Sequence, residues 1–168
     1  ERKNPPDKRA VLSPEACATL KKKFPSSDIK VESDTNRAFS DEEYRKFGIE
    51  VTNDISDCDV LLGIKEVPVE HLIPNKKYFF FSHTIKKQAH NQKLLQAILQ
   101  KNIELYDHEV ITDTKGVRIV AFGKYAGIVG AYNTIRAYGL KTRSFNLPKA
   151  ENLLDKQALI EELKKVKL

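Results

Sequence analysis

Phe79-Phe80-Phe81-Ser82-His83-Thr84-Ile85-Lys86-Lys87-Gln88 is the stretch on which the fold of this chain turns. Tyr78 to Phe81 is a short, evenly apolar, aromatic run, which suits a buried strand and is too brief for an amphipathic helix. From Asn91 onward Leu94, Leu95, Ile98 and Leu99 recur at the spacing of one helix face, predicting a helix to about Lys101. The polar segment from His83 to Gln88 therefore stands at a strand-to-helix junction. In open α/β sheets ligands bind outside the carboxyl ends of the strands, which is where His83 falls.

The same alternation spreads outward in both directions. Upstream, Asp59 to Ile64 reads as a core strand ending in the polar pair Lys65-Glu66, before Pro68 forbids further regular pairing. Ser13-Pro14-Glu15 is a helix start with a serine cap and a proline at the first helical position, and that helix should bury Ala16, Leu20 and Phe24. Ile29 to Glu32 follows as a short strand. Ser40-Asp41-Glu42-Glu43 has the spacing of a capping box, its helix ending at Gly48 with Tyr44 and Phe47 facing inward. The proline-bearing segment Glu1 to Lys8 should be a loop.

Downstream, Ile103 to Ile111 and Val117 to Phe122 flank Asp113-Thr114-Lys115-Gly116, a turn of hairpin length. Gly123, Ala126, Gly127, Gly130 and Ala131 form a small-residue face suited to close helix packing. A phosphate cradle is the rival reading, but G-x-x-x-G-x-x-G is not the G-x-G-x-x-G of a dinucleotide site. Thr142 to Asn152 reads as a loop and Leu153 to Val166 as a last amphipathic helix. The sum is an α/β fold: a Rossmann-like, three-layer, mainly parallel sheet with helices on both faces and an antiparallel hairpin.

Composition narrows the function classes. A chain of 168 residues can bury a real core, and its formal charge of +6 comes from 29 Lys+Arg interspersed with 23 Asp+Glu, which argues against a nucleic-acid patch. Cys17 and Cys58 have no neighbours at disulfide-framework or metal-ligand spacing, so no metal is expected and both suit a reducing compartment, the cytoplasm. No apolar run approaches the roughly 20 residues that span a bilayer, so no membrane role is expected. Met is absent and the chain opens on a charged segment, as a fragment would.

Lys65 and His83 are the leading chemical candidates, since each ends a predicted buried strand and adjacent parallel strands bring such ends together. A partly desolvated lysine and an imidazole can serve as base and acid near neutrality. A lone histidine at a strand end is more often structural, so both roles stand. Arg9 offers a guanidinium fork for a carboxylate. Lys86 and Glu109 could point into the same cleft or simply face water, and His71, His90 and His108 read as surface residues.

Four segments carry a resemblance. Lys8-Arg9-Ala10-Val11-Leu12-Ser13-Pro14, Gly63-Ile64-Lys65-Glu66-Val67-Pro68, Phe80 to Lys86 and Gly116-Val117-Arg118-Ile119-Val120-Ala121-Phe122-Gly123 occur in that order. Together the chain resembles the N-terminal domain of the alanine dehydrogenase and pyridine nucleotide transhydrogenase family, most closely its saccharopine dehydrogenase and lysine-ketoglutarate reductase branch. The resemblance implies that residues 1–125 form a substrate-binding, catalytic domain. Residues 126–168 would then be connecting helices leading towards a nicotinamide-cofactor domain that lies outside this chain.

It also implies that Arg9 receives the substrate carboxylate, that Lys65 and His83 are the catalytic pair, and that Glu66, Lys86 and Glu109 line the cleft. NAD or NADP would serve the full-length enzyme, with no cofactor-binding residue and no bound cofactor expected in this fragment. The implied chemistry is NAD(P)-dependent cleavage of saccharopine to lysine and 2-oxoglutarate, or its reverse. Alanine oxidation to pyruvate and ammonia, or non-catalytic binding of an anionic metabolite, are the alternatives. A strand and G-x-G-x-x-G downstream of Leu168 would favour the dehydrogenase.

Overall fold

Ser13 and Ser40 open the first two helices of the computed structural model, which describes residues 7–166. The first six residues of the expected N-terminal loop, with Lys167 and Leu168, lie outside the described residues. Ser13 Oγ accepts the Ala16 N–H at 3.2 Å and Pro14 is the first residue of helix α1 (Pro14–Lys23). Strand β1 (Lys30–Glu32) follows. Helix α2 (Asp41–Lys46) carries the full capping box, Ser40 and Glu43 each satisfying the other's backbone N–H.

Two aromatic residues expected inside are outside. Phe24 is 48% exposed and Phe47 45%, because each caps a helix that has already ended, so neither stays on the inward face. α1 buries Pro14 and Cys17 instead, while Ala16 and Leu20 are half-buried. Tyr44 is buried as expected, its hydroxyl donating to the Leu12 carbonyl at 2.7 Å. Strand β2 (Glu50–Thr52) pairs in parallel with β1, and Cys17, Tyr44 and Ile49 form the core beneath them.

The second sheet carries the chemistry. Strands β3 (Val60–Lys65), β4 (Lys77–Phe81) and β5 (Glu104–Asp107) run parallel in the order β3-β4-β5. Helix α3 (Gln92–Gln100) connects β4 to β5 and packs Leu94, Ala97 and Ile98 against Leu61, Tyr78 and Phe80. Alternate residues fall on the other face: Val60, Leu62 and Tyr106 are exposed there, with Tyr106 stacked on Phe79 at 4.6 Å. This is the mixed helix and parallel-sheet architecture that the sequence predicts.

The antiparallel part is smaller than expected. Among the described residues it is one bridge, Thr112 to Arg118, around a turn in which Asp113 Oδ1 accepts the N–H groups of Lys115 and Val117 and Gly116 takes φ +78°. β5 stops at Asp107 because the chain turns there, Val110 donating back to the Asp107 carbonyl.

Among the described residues, 7–120 and 121–166 are two compact units. In the second, helix α4 (Gly123–Thr142) already contains the small residues, and a Cβ at Gly123, Gly127 or Gly130 would meet nothing within 4 Å. The close packing expected there occurs at Gly139 instead, against the Phe145 ring. Helix α5 (Lys156–Lys164) starts three residues later than Leu153, where Asp155 caps it through the Ala158 N–H. Tyr132, Leu147 and Leu159 are the core of this unit. No described helix is long and apolar enough to cross a membrane.

Candidate active site

The site begins where β4 ends. Ser82 is buried, and its hydroxyl donates to Asp107 Oδ2 at the end of β5 while accepting the Thr84 N–H at 3.1 Å. Asp107 Oδ1 in turn accepts the Glu109 N–H at 2.8 Å. This strut fixes the residues on either side of His83 and the backbone of Glu109 in one frame. His83 itself takes left-handed backbone angles (φ 57°, ψ 10°), a conformation costing a side-chain-bearing residue roughly 1–2 kcal/mol. Its carbonyl is held by the Lys86 N–H at 3.1 Å and by Asn91 Nδ2 at 3.3 Å.

Glu109 is the electrostatic centre. Its side chain is only 7% exposed, yet it meets His83 Nδ1 at 3.1 Å, Lys86 Nζ at 3.2 Å and Arg118 Nη2 at 3.2 Å. Burial pushes its carboxyl pKa up, but hydrogen bonds from His83 and Lys86 and their charges outweigh that, leaving it below the usual value. The ionised carboxylate accepts hydrogens only, so it holds the His83 tautomer with the proton on Nδ1. Nε2 is then the nitrogen that keeps its lone pair. Lys86 Nζ also lies 3.2 Å from His83 Nδ1, but Glu109 Oε1 offers its hydrogens an acceptor that does not compete. The His83 ring stacks on Phe81 at 6.2 Å between centroids.

Lys65 ends β3, half-buried, in register with Phe81. The pairing between β3 and β4 is irregular there: Leu62 faces Phe79 and Lys65 faces Phe81, so β3 carries one extra residue. Arg9 is also half-buried, its fork occupied by Asp7, with Nε to Oδ1 at 2.9 Å and Nη2 to Oδ2 at 2.5 Å. Those hydrogen bonds, opposed by burial, lower the Asp7 carboxyl to about 2, and the Lys65 charge adds to the lowering. Arg9 and Lys65 thus share one neighbourhood, with an internal carboxylate seated where the guanidinium would take an external one. Glu66 follows Lys65, half-buried, beyond the strand.

The structure therefore joins His83, Lys86 and Glu109 by direct contact and brings Lys65 to the same strand ends by register. It adds Asp7, Ser82, Asp107 and Arg118, which the sequence did not single out. His71 and His90 are exposed as expected, but His108 is not a surface residue: it is 5% exposed, with Nε2 3.1 Å from the Gly63 carbonyl. Alternation along Leu105-Tyr106-Asp107-His108 was the available signal, since it puts His108 on the face of Tyr106 and Phe79. Among the described residues no cluster of His, Cys, Asp or Glu could hold a metal ion. Gly127 and Gly130 lie inside α4, so they do not form the strand-to-helix loop of a phosphate cradle.

Comparison with known proteins agrees with the architecture. The family described as alanine dehydrogenase/PNT, N-terminal domain, matches residues 1–129. The chain is 43% identical over 113 residues to the mitochondrial alpha-aminoadipic semialdehyde synthase of Bos taurus, covering 67% of this chain and 12% of that protein. It is 32% identical over 133 residues to the saccharopine dehydrogenase [NAD(+), L-lysine-forming] of Emericella nidulans, covering 76% of this chain and 35% of that one. A transhydrogenase from Sinorhizobium meliloti has the same fold, with a TM-score of 0.62 at 19% identity over 79% of this chain and 41% of the other. The chain thus spans an eighth to about a third of the two curated relatives named here.

Proposed function

Because the chain belongs to the alanine dehydrogenase/PNT family by its N-terminal domain, we propose that it is the substrate-binding, acid/base part of an NAD(P)-dependent saccharopine dehydrogenase. On this reading residues 1–125 form the working domain and 126–168 the helices that lead to a cofactor domain. The observation that carries the proposal is the Glu109-anchored His83 at the end of β4, beside the β3 end that bears Lys65. The names of the relatives, semialdehyde synthase and saccharopine dehydrogenase, supply the substrate class.

A bound nicotinamide would accept the hydride. The residues of this chain handle the protons and the carboxylate. Arg9 receives a substrate carboxylate in the fork now holding Asp7. As hydride leaves the carbon, the substrate nitrogen gives up its proton and an imine forms. Water adds to the imine, and the resulting amine is protonated as the carbon–nitrogen bond breaks. Lys65 and His83 Nε2 are the two groups placed to carry these protons, and Glu109 stabilises the imidazolium when His83 holds one. Lys86, together with His83, keeps Glu109 ionised, and Arg118 pairs with its Oε1. Glu66 lines the cleft beside Lys65. The two free cysteines suit a reducing compartment such as the cytoplasm, whereas the bovine relative is named as mitochondrial.

The test is turnover by the full-length protein that carries this chain. Saccharopine with NAD or NADP should give reduced nicotinamide, lysine and 2-oxoglutarate, and alanine should give none. Turnover of alanine alone would move the substrate assignment to alanine, with pyruvate and ammonia as the products. Binding of saccharopine without turnover of either would replace the enzyme with a binding module.

A further inference from the structure

The extra residue in β3 has a consequence for Lys65. In a regular strand alternate residues face one way, and Leu61 faces the core with Tyr78. Unbroken alternation would send Gly63 and Lys65 to that same side. The buried residues are instead Leu61 and Ile64, three apart, and Lys65 falls opposite Phe81, whose ring lies against His83. The bulge at Gly63 and Ile64 thus turns Lys65 onto the face that carries His83, as bulges beside active sites re-aim a side chain.

One side chain grips that bulge. His108 lies beyond the end of β5, on the far side of β4 from Gly63, its backbone N–H continuing the β4 ladder to the Phe80 carbonyl at 3.1 Å. Its ring crosses the edge of Phe81 at 5.2 Å between centroids and is 5% exposed, and Nε2 reaches the Gly63 carbonyl at 3.1 Å. A carbonyl only accepts, so Nε2 bears the hydrogen. Nδ1 is buried without a hydrogen-bond partner, which suits a bare lone pair and not an N–H. We propose that His108 is a positioning residue: its Nε2–H to Gly63 bond holds the β3 bulge and so aims Lys65 at the reacting nitrogen of the substrate.

This rests on Lys65 as a proton carrier, and the experiment separates the two. In the full-length protein, His108→Leu removes the donor at similar bulk and should lower kcat roughly 10-fold to 100-fold, the loss that a misplacement of about 1 Å can cause, with substrate KM little changed. His108→Gln keeps an N–H within reach of Gly63 and should recover most of that loss. In this chain, acylation of Lys65 followed by mass spectrometry should change severalfold in His108→Leu and return in His108→Gln. Long-range nitrogen–proton NMR should find His108 as the Nε2–H tautomer. If Lys65→Met lowers kcat but His108→Leu does not, the positioning role is wrong. An Nδ1–H tautomer, or equal kcat losses in the Leu and Gln variants, also overturns it. If Lys65→Met leaves kcat unchanged, the role of Lys65 falls and this one with it.

Discussion

Replacing Glu109 with Gln removes one charge and leaves the shape. The cost depends on what becomes of the three groups that now lean on the carboxylate. Stripping one partner from a fully buried ion pair costs about 3–5 kcal/mol, because the remaining charge has nowhere to go. Lys86 and Arg118, however, are 46% and 50% exposed, and His83 32%, so all three can turn to water when the anion is gone. The two cation contacts are then worth about 0.2–1 kcal/mol each. The His83 hydrogen bond to a charged acceptor adds about 1.5 kcal/mol, partly kept by the Gln carbonyl oxygen. The expected loss is about 1–2 kcal/mol at neutral pH.

The loss has a defined pH dependence. Glu109 is held below its usual pKa, so its contribution is complete above the unfolded value and disappears as pH falls through the folded one. Wild type and Glu109→Gln should therefore converge in acid. Urea unfolding followed by NMR cross-peaks of residues in β4 and β5, at neutral and acid pH, measures both effects. A loss above 3 kcal/mol would mean that the cations are trapped, and a gap that persists in acid would mean that the carboxylate does not hold them.

Asp7 should titrate near 2 by NMR of its carboxyl carbon, and its pairing with Arg9, complete above the unfolded value of 3.8, should fade as pH falls from there through 2; a midpoint near 4 would dissolve the pair. Because Arg9 is 42% exposed, Asp7→Asn should cost at most about 1 kcal/mol in denaturation. In the full-length protein Arg9→Ala should raise substrate KM with little change in kcat, and a drop in kcat alone would take Arg9 out of carboxylate binding.

Much of the frame is legible because it is local chemistry. Ser13-Pro14 and Ser40 to Glu43 announce helix starts through hydrogen bonds made within three residues, and both form as written. The strand from Tyr78 to Phe81 is equally plain from its aromatic run. Phe24 and Phe47 mislead because the apolar periodicity runs on past the caps, and the last helix because Leu153 and Leu154 look apolar while Leu154 is 95% exposed. The site is half legible. His83 and Lys65 stand at strand ends, which pattern can locate. The bulge at Gly63 and the burial of His108 depend on pairing among three strands distant in sequence, and a polar Asp-His-Glu run reads as surface until that pairing is known.

The central claim is that Lys65 and His83 form one acid/base unit, and steady-state kinetics of the full-length protein across pH tests it most directly. Lys65→Met and His83→Gln should each lower kcat by roughly 10²-fold or more and alter the pH profile, with the double variant losing less than the two losses multiplied. Near-normal kcat in both single variants, with an unchanged pH profile, would contradict the claim and return both residues to the frame.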